Sequence, residues 1–308
     1  MIVSVRNLTH RYGSRVALDN LSFDVAPGTI FGLLGPNGSG KSTLFRILAT
    51  MMAPTSGRAT IDGFDAVRQA GEVRRRIGVV FQSPSLDRKL TVGENLAAQG
   101  HLYGLAGATL KARIGATLER LGLADREQDL VETLSGGLRR RVEIAKALLY
   151  GPSVLLLDEP SSGLDPAARL ELISAIAALR DGQGVTVLLT THVLEEADRC
   201  DRLLLLHQGR RVAEGTPAEL KSRVGGDVVL LEVADAAAMR GRLRERFGIE
   251  PQLADGLLRV EIPNGHRFLT EVVEAFPGAI RSISLHRPTL EDVFLDETGV
   301  SIGQEARA

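Results

Sequence analysis

The chain has 308 residues, of which 44% are hydrophobic and 24% charged, and its formal net charge is −1. This composition predicts a soluble globular protein with one large domain or two unequal ones, and it argues against a nucleic-acid binder. The single cysteine, Cys200, excludes an internal disulfide and fits a reducing compartment. No apolar run reaches the roughly 18 residues of a membrane span, and the N-terminus lacks a signal peptide's apolar core.

The strand patterns predict an α/β fold. The first thirty residues alternate between apolar and polar positions, which indicates an antiparallel subdomain at the edge of the fold. Later runs are continuously apolar, as in a mostly parallel sheet with helices on both faces. These runs are Ile30–Leu34, Ile77–Phe81, Val154–Leu157 and Val185–Thr190, with Leu203–His207 as a candidate fifth.

A phosphate-binding loop follows the first of these strands. The segment GPNGSGKST matches the pattern G-x-x-x-x-G-K-[ST] and comprises Gly35, Pro36, Asn37, Gly38, Ser39, Gly40, Lys41, Ser42 and Thr43. Its glycines let several N–H groups converge on phosphate, and the following helix adds its positive end. We expect Lys41 to contact the outer phosphates and the Ser42 hydroxyl to hold Mg²⁺. The helix itself is predicted by the spacing of Leu44, Ile47, Leu48 and Met51.

A helical insertion at about residues 83–150 interrupts the α/β pattern. It contains helical periodicity at Gly93–Gly104, Thr109–Gly122 and Gly137–Leu149. Within it, LSGG at Leu134–Gly137 puts a serine hydroxyl and glycine N–H groups at the start of a helix, which suits a second anion.

The chain has two phosphate-binding loops but the Mg²⁺-binding residues of only one nucleotide site. This combination predicts a head-to-tail homodimer. Each nucleotide would lie between Gly35–Thr43 of one subunit and Ser135, Gly136 and Gly137 of the other.

Two carboxylates end the run VLLLDEP at Val154–Pro160. A strand of this kind delivers its last residues to the carboxyl edge of the sheet, where ligands bind. Asp158 is expected to face the Mg²⁺ held by Ser42. Glu159 is expected to orient or deprotonate the water that attacks the γ-phosphate.

The pattern changes after the polar stretch Lys221–Gly226. We therefore predict a first domain over residues 1–224 and a small α+β domain over residues 225–308. The second domain has the order β-α-β-β-α-β, which is ferredoxin-like. Its predicted elements are Val228–Val233, Ala236–Phe247, a short strand near Gln252, Leu257–Ile262, His266–Phe276 and Ile280–Leu285, followed by a terminal helix at Thr289–Asp296.

In their order and spacing, the motifs of residues 1–223 resemble those of the ATP-binding subunits of ABC transporters. The matching features, in chain order, are Tyr12, GPNGSGKST, Gln82, LSGG, VLLLDEP, SGLDP at Ser162–Pro166, and TTH at Thr190–His192.

The resemblance implies ATP and Mg²⁺ as ligands and a role for four further residues. Tyr12 would stack on adenine, and Gln82 would touch Mg²⁺ or water and link the site to the helical insertion. His192 would contact the γ-phosphate, and Asp165, the expected N-cap of a helix, would lie in the loop that crosses the dimer interface. Lys41, Gln82, Glu159 and His192 form the expected catalytic group.

One position departs from the family pattern. The family often has glutamine after LSGG, whereas this chain has Leu138. The next residues, Arg139–Arg141, are interpreted as a solvated helix face, with contact to lipid headgroups or to the partner's nucleotide as the alternatives.

The segments RPTLEDVFLDETG at Arg287–Gly299 and SLDRKLTVGENL at Ser85–Leu96 resemble drug and antibiotic exporters of the daunorubicin-resistance type. That resemblance implies a separate membrane permease, docked near Gln82–Leu96, and a location at the cytoplasmic face of the cell membrane. The C-terminal domain would stabilise the dimer or the permease contact, or be a plain stabilising appendage. Open alternatives are a non-transport ABC ATPase, a poorly hydrolysing regulatory module and the ATPase of an importer.

Overall fold

The computed structural model describes residues 1–254 and 256–302. Its contacts divide the chain into two compact units, Met1–Glu214 and a second unit that begins at Gly215. This division falls ahead of the boundary expected after residue 224, because the helix Pro217–Lys221 packs against the last helix of the second unit. Among the helices of the described residues, none combines the length and the apolar character that a bilayer crossing requires.

The first unit contains two sheets and seven α-helices among its described residues. Its strands are β1 (Val3–Tyr12), β2 (Arg15–Val25), β3 (Ile30–Leu34), β4 (Ser56–Ile61), β5 (Phe64–Asp65), β6 (Ile77–Val80), β7 (Val154–Asp158), β8 (Thr186–Thr191), β9 (Arg202–His207) and β10 (Arg210–Gly215). Its helices are α1 (Lys41–Leu48), α2 (Ala70–Arg74), α3 (Val92–Leu102), α4 (Gly107–Arg120), α5 (Gly136–Leu148), α6 (Pro166–Gln183) and α7 (Leu194–Ala197).

The central sheet has the strand order β10-β9-β3-β8-β7-β6. Strands β9, β3, β8, β7 and β6 pair in parallel, which confirms the predicted parallel sheet and its fifth strand. Every residue of β3 and β8 is buried, as expected of strands covered on both faces. Because the strands are parallel, the segments after β3, β7 and β8 leave the sheet at one common edge.

The second sheet is antiparallel, with the order β2-β1-β4-β5, and it confirms the predicted edge subdomain. A shared core joins it to the central sheet, and the rings of Phe23 and Phe31 stack there at 5.4 Å. Leu44, Ile47 and Leu48 of α1 are buried in this core as predicted. The prediction was wrong for Met51, which is 62% exposed, because α1 ends at Leu48 and Thr50 turns the chain with φ 60°.

The predicted helical insertion is present as α3, α4 and α5. Helix α3 begins at a capping box, in which Thr91 accepts from the Glu94 N–H and Glu94 accepts from the Thr91 N–H.

The second unit contains α8 (Pro217–Lys221), β11 (Asp227–Val233), α9 (Ala236–Phe247), β12 (Gln252–Ala254), β13 (Leu257–Ile262), α10 (Gly265–Ala275), β14 (Ile280–His286) and α11 (Leu290–Thr298). Its sheet has the order β12-β13-β11-β14, and the pairings described within it are antiparallel. The predicted ferredoxin-like arrangement is therefore confirmed. The core of this unit includes Leu231, Leu243, Val260, Phe268 and Val272.

Candidate active site

The phosphate loop connects β3 to the first turn of α1. Gly40, the N-cap of α1, has φ 107° and no side chain to cap the helix, so the first N–H groups remain available to a ligand. A Cβ at Gly40 would lie 2.5 Å from the Ala17 carbonyl oxygen, and one at Gly35 would overlap the Leu206 carbonyl. Only glycine fits these two positions.

A cavity of about 230 Å³ adjoins this loop. It is lined by Tyr12, Arg15, Ala17, Asn37, Gly38, Gly40, Lys41, Ser42, Thr43, Arg46 and Glu159. The structure therefore brings Tyr12 and Glu159 to the same cavity as most of the predicted loop residues.

Lys41 folds back onto its own loop. Its ammonium donates to the carbonyls of Gly35 at 2.5 Å and Pro36 at 2.8 Å, and the residue is only 4% exposed. Burial lowers the pKa of Lys41, while the nearby carboxylates of Glu159 and Asp158 act in the opposite direction. A phosphate group at this position would give the desolvated ammonium a further charged partner beside Glu159.

Thr190 of β8 holds both predicted acidic residues. Its hydroxyl donates to Asp158 Oδ1 at 2.6 Å, and the Glu159 N–H donates to the same hydroxyl oxygen at 2.9 Å. Glu159 has φ 45°, a conformation that is unfavourable for a residue with a Cβ and persists only when its surroundings fix it. Burial raises the pKa of Asp158, an effect that a bound cation would oppose.

The Glu159 side chain is the centre of the predicted catalytic group. Gln82 Nε2 donates to Glu159 Oε2 at 3.4 Å, and His192 Nδ1 lies 3.3 Å from the same oxygen. Lys41 Nζ lies 4.0 Å from Glu159 Oε1. Four residues that are far apart in sequence thus converge beside the phosphate loop.

The donor chemistry of Ser42, Asp158 and Gln82 fits Mg²⁺. A hydroxyl, a carboxylate and an amide supply the oxygen ligands that this ion prefers. Ser42 is exposed in the first turn of α1. Within residues 1–254 and 256–302 no group of three or more His, Cys, Asp or Glu side chains forms a metal cage.

Tyr12 presents its ring at the side of this cavity. The residue is 45% exposed, and its ring meets that of His10 edge-on, with 4.7 Å between the centroids. The hydroxyl contacts Met52 Sδ at 3.6 Å. The ring is therefore oriented by two neighbours while much of its surface remains open for stacking.

The second predicted anion site lies at the start of α5. Ser135 is the N-cap, and its hydroxyl accepts from the Leu138 N–H at 3.3 Å. Asp165 is the N-cap of α6 and accepts from the Ala168 N–H at 2.9 Å, which confirms the predicted helix start. A Cβ at Gly137 would lie 3.0 Å from Ala168 Cβ, so the two helix starts are neighbours.

A separate cavity of about 390 Å³ lies in this second region. Gly136 lines it together with Gln82 and Leu164. The starts of α5 and α6, which include Ser135–Gly137 and Asp165, thus form one region. The cavity lined by Lys41 is a second, separate region.

The interpretation of Arg139–Arg141 as a solvated face was wrong for Arg140. Arg140 is buried, and its guanidinium donates to several main-chain carbonyls around Glu159. A signal for this was present, because Arg140 follows the buried Gly137 by three positions and precedes the buried Ile144 by four. Thr190 was recognised only as part of a motif, and its role as an anchor for Asp158 and Glu159 was missed.

A parallel sheet with a phosphate loop, an acidic pair and a histidine at one edge defines a P-loop nucleotide-binding protein. Comparison with known families narrows this class. Residues 18–162 match the ABC transporter family model, and residues 215–298 match the C-terminal domain of ATP-binding proteins of the DrrA1-3 type.

Several known proteins are similar over nearly their whole length. The daunorubicin resistance ATP-binding protein DrrA3 of Streptomyces coeruleorubidus is 41% identical, covering 96% of each chain. The Nod factor export ATP-binding protein I of Paraburkholderia xenovorans is also 41% identical, covering 94% of each.

Solved structures agree with these relatives. The cbiO1 protein of Clostridium perfringens, part of the ABC transporter complex cbiONQ, superposes with a TM-score of 0.68 at 27% identity, covering 80% of this chain and 96% of its own. The ATP-binding cassette MJ0796, a dimer with ADP and Pi, superposes with a TM-score of 0.61 at 29% identity, covering 70% and 98%. The chain therefore belongs to the ABC transporter ATP-binding proteins, a family in which ATP hydrolysis powers transport.

Proposed function

We propose that two copies of this chain clamp ATP between them and that hydrolysis lets them separate, which drives a separate membrane permease. Each nucleotide lies between Gly35–Thr43 of one copy and Ser135–Gly137 of the other. ATP binding closes the dimer because its phosphates bridge two subunits, and loss of the γ-phosphate removes that bridge.

The observation that carries hydrolysis is the convergence of Gln82, His192 and Lys41 on the Glu159 carboxylate beside the phosphate loop. In this proposal Glu159 accepts a proton from the attacking water, while His192 and Gln82 orient that water and the γ-phosphate. Lys41 neutralises charge on the outer phosphates.

Ser42, Asp158 and Gln82 are the proposed Mg²⁺ ligands. When bound, Mg²⁺ neutralises phosphate charge. Tyr12 stacks on adenine, and Asp165 lies at the subunit interface.

The start of α5 supports the dimer. Ser135, Gly136 and Gly137 have the chemistry of an anion site, yet Gly136 lines a cavity other than that of Lys41. A second copy would supply the phosphate that this helix start lacks within its own chain. The MJ0796 cassette was solved as a dimer bound to ADP and Pi, which supports a nucleotide-bound dimer of this chain as well.

A groove beside Gln82 is the proposed docking site of the permease. It has a volume of about 320 Å³, and its lining includes Phe81, Ser85, Tyr103, Lys146 and Tyr150. The rings of Tyr103 and Tyr150 stack at 3.9 Å, and Lys146 Nζ donates to the Ser85 carbonyl at 2.7 Å. Such a mixed aromatic and polar groove suits a short partner helix, and it would hold the protein at the cytoplasmic face of the membrane.

The names of the two relatives favour export of drug-like or lipophilic cargo. One is named for daunorubicin resistance and the other for Nod factor export, and both align over nearly the whole chain.

The substitution Glu159→Gln tests the clamp. It removes the proposed base without changing side-chain volume, so we expect kcat to fall by about 10²–10⁴-fold. ATP binding should persist, and a stable dimer should accumulate with ATP in size-exclusion chromatography. Glu195→Gln is the matched control, since Glu195 is an exposed acid paired with Arg169. Full hydrolysis by Glu159→Gln, or a monomer with ATP bound, would contradict the proposal.

The docking groove can be tested by co-expression with the membrane protein encoded by the neighbouring gene. We expect that protein to co-purify with the wild-type chain, and Tyr103→Glu to reduce its yield about tenfold by placing a charge in the groove. Leu102→Glu is the control, because Leu102 is exposed and does not line the groove. Equal losses in both variants, or none in either, would argue against this docking site.

A further inference from the structure

Arg140 reaches from α5 to the main chain on both sides of Glu159. Its Nε donates to the Pro160 carbonyl at 2.9 Å, and its Nη2 donates to those of Asp158 at 3.1 Å and Glu159 at 3.4 Å. Its Nη1 donates to the Phe81 carbonyl at 2.7 Å, directly before Gln82. One guanidinium thus binds the segments that carry two members of the proposed catalytic group.

Glu143, one turn further along α5, completes this contact. Its carboxylate accepts from Arg140 Nη1 at 2.5 Å and from the Ser85 N–H at 2.8 Å, and both side chains are buried. The loop that contains Gln82 is therefore attached to α5 at both of its ends, through Phe81 and through Ser85.

The position of Glu159 depends on such contacts. Its left-handed backbone is held by Thr190 from β8 on one side and by Arg140 from α5 on the other. The β8 contact is internal to the sheet, whereas α5 begins at Ser135–Gly137. In the proposed dimer, that helix start meets the partner's nucleotide.

We infer that Arg140 is a positioning residue that transmits the placement of α5 to Glu159 and Gln82. The inference rests on the proposed function, because it assigns α5 to the partner's ATP. Seating that nucleotide against Ser135–Gly137 fixes α5, and Arg140 then fixes the carbonyls that flank the base. Closure of the dimer and readiness of the catalytic carboxylate are thereby linked within one helix.

The guanidinium is essential to this role. Four carbonyls and one carboxylate accept from its planar set of N–H groups. The compact ammonium of lysine can pair with Glu143 but cannot span the same carbonyls. If Arg140 served only to stabilise the fold, any side chains that neutralise or replace the pair with Glu143 would be sufficient, because buried ion pairs can often be replaced without loss of stability.

Arg140→Lys separates the two roles. We expect kcat for ATP hydrolysis to fall by about tenfold to a hundredfold, since small displacements of catalytic groups have effects of this size. KM for ATP should stay within about twofold, because the phosphate loop is untouched. In the Glu159→Gln background, Arg140→Lys should still form the ATP-dependent dimer. Arg126→Lys is the control, because Arg126 is an exposed arginine that pairs with Asp125 and Asp129 and lines neither of the two cavities.

A second variant covers the case in which Arg140→Lys fails to fold. The double change Arg140→Met with Glu143→Met removes both buried charges with side chains of similar length. We expect a folded protein that binds ATP and hydrolyses it at the reduced rate. Wild-type kcat in Arg140→Lys or in the double variant would overturn the inference, as would a loss of kcat that merely follows a lowered Tm.

The two proposals fail in distinguishable ways. If Glu159→Gln hydrolyses ATP normally or forms no dimer, the proposed function is wrong. If Glu159→Gln traps the dimer as expected while Arg140→Lys keeps wild-type kcat, only the role of Arg140 is wrong.

Discussion

Within the described part of the chain, each unit contains one buried arginine with a network of its own, and the two networks differ in what they hold. Arg140 in the first unit donates mainly to main-chain carbonyls, whereas Arg259 in the second donates to side chains. Arg259 is 3% exposed, and its partners are Asp292 at 3.0 Å, Gln252 at 3.4 Å and Glu261.

The Arg259 network joins secondary-structure elements. Asp292 lies in the first turn of α11 and also accepts from the N–H and the hydroxyl of Thr289, the N-cap of that helix. The ion pair with Arg259 therefore attaches α11 to β13. Burial and charge are common to both arginines, so the kind of partner distinguishes a residue that positions a site from one that assembles a fold.

The sharpest test of this comparison, with the largest expected effect on stability, is Arg259→Met. It leaves the buried Asp292 and the partly buried Glu261 without their cation, which should lower the free energy of unfolding by about 3–5 kcal/mol. Denaturant titration of the full chain measures this, with the fluorescence of a label in the second unit as the probe. Hydrolysis per folded molecule should stay within about twofold of wild type, because the partners of Arg259 lie in the second unit and the phosphate loop lies in the first.

Arg240→Met provides the matched control in the same unit. Arg240 forms an exposed ion pair with Glu250 at 2.6 Å, and such pairs contribute about 1 kcal/mol or less. Two results would contradict the distinction between the two buried arginines. One is that Arg259→Met is no more destabilising than Arg240→Met, and the other is that it reduces kcat in fully folded protein.

Much of this architecture could be predicted because its signals are local in sequence. The apolar runs predicted β3, β6, β7 and β8 within a residue or two, and the β-α-β-β-α-β order of the second unit followed from periodicity alone. The acidic pair Asp158 and Glu159 was predictable because a buried parallel strand must end at the ligand-binding edge.

What the sequence concealed depends on contacts between distant residues. Three consecutive arginines, Arg139–Arg141, suggest a hydrated surface. In the structure, however, most acceptors of Arg140 are main-chain carbonyls, which every residue type provides. One of them, at Phe81, is 59 residues away in sequence. Main-chain acceptors leave no trace in the sequence, so only helical phase indicated that Arg140 is buried. The anchoring of Glu159 by Thr190 escaped prediction because the group that the Thr190 hydroxyl binds is the main-chain N–H of Glu159, which every residue type except proline would also supply.

The two units also differ in how each stabilises an aspartate with restricted access to solvent, and we expect this difference to have a smaller effect on stability. Asp292 in the second unit has Arg259 as a direct ion-pair partner, whereas Asp158 in the first accepts a hydrogen bond from the neutral hydroxyl of Thr190. Burial raises the pKa of Asp158 above its ordinary value. The active site thus contains a carboxylate whose charge opposes folding until a cation arrives, which is a common conflict between stability and function.

Asp158→Asn should therefore stabilise the nucleotide-free protein at neutral pH, while Asp292→Asn should destabilise it. A group whose pKa is raised in the folded state adds stability only below its unfolded pKa, about 3.9, and loses that contribution as pH rises through the folded pKa. Above that range the wild-type protein carries the full penalty of the buried charge, and the Asp158→Asn variant carries none.

Each kcal/mol of this penalty that the substitution removes raises Tm by about 2–4 °C in a unit of this size. The gain should be largest at about pH 7–8 and should shrink as the pH falls and wild-type Asp158 becomes protonated. Thermal melts from about pH 4 to pH 8 in the presence of a chelator measure it, and a gain independent of pH would show that the buried charge is not its source.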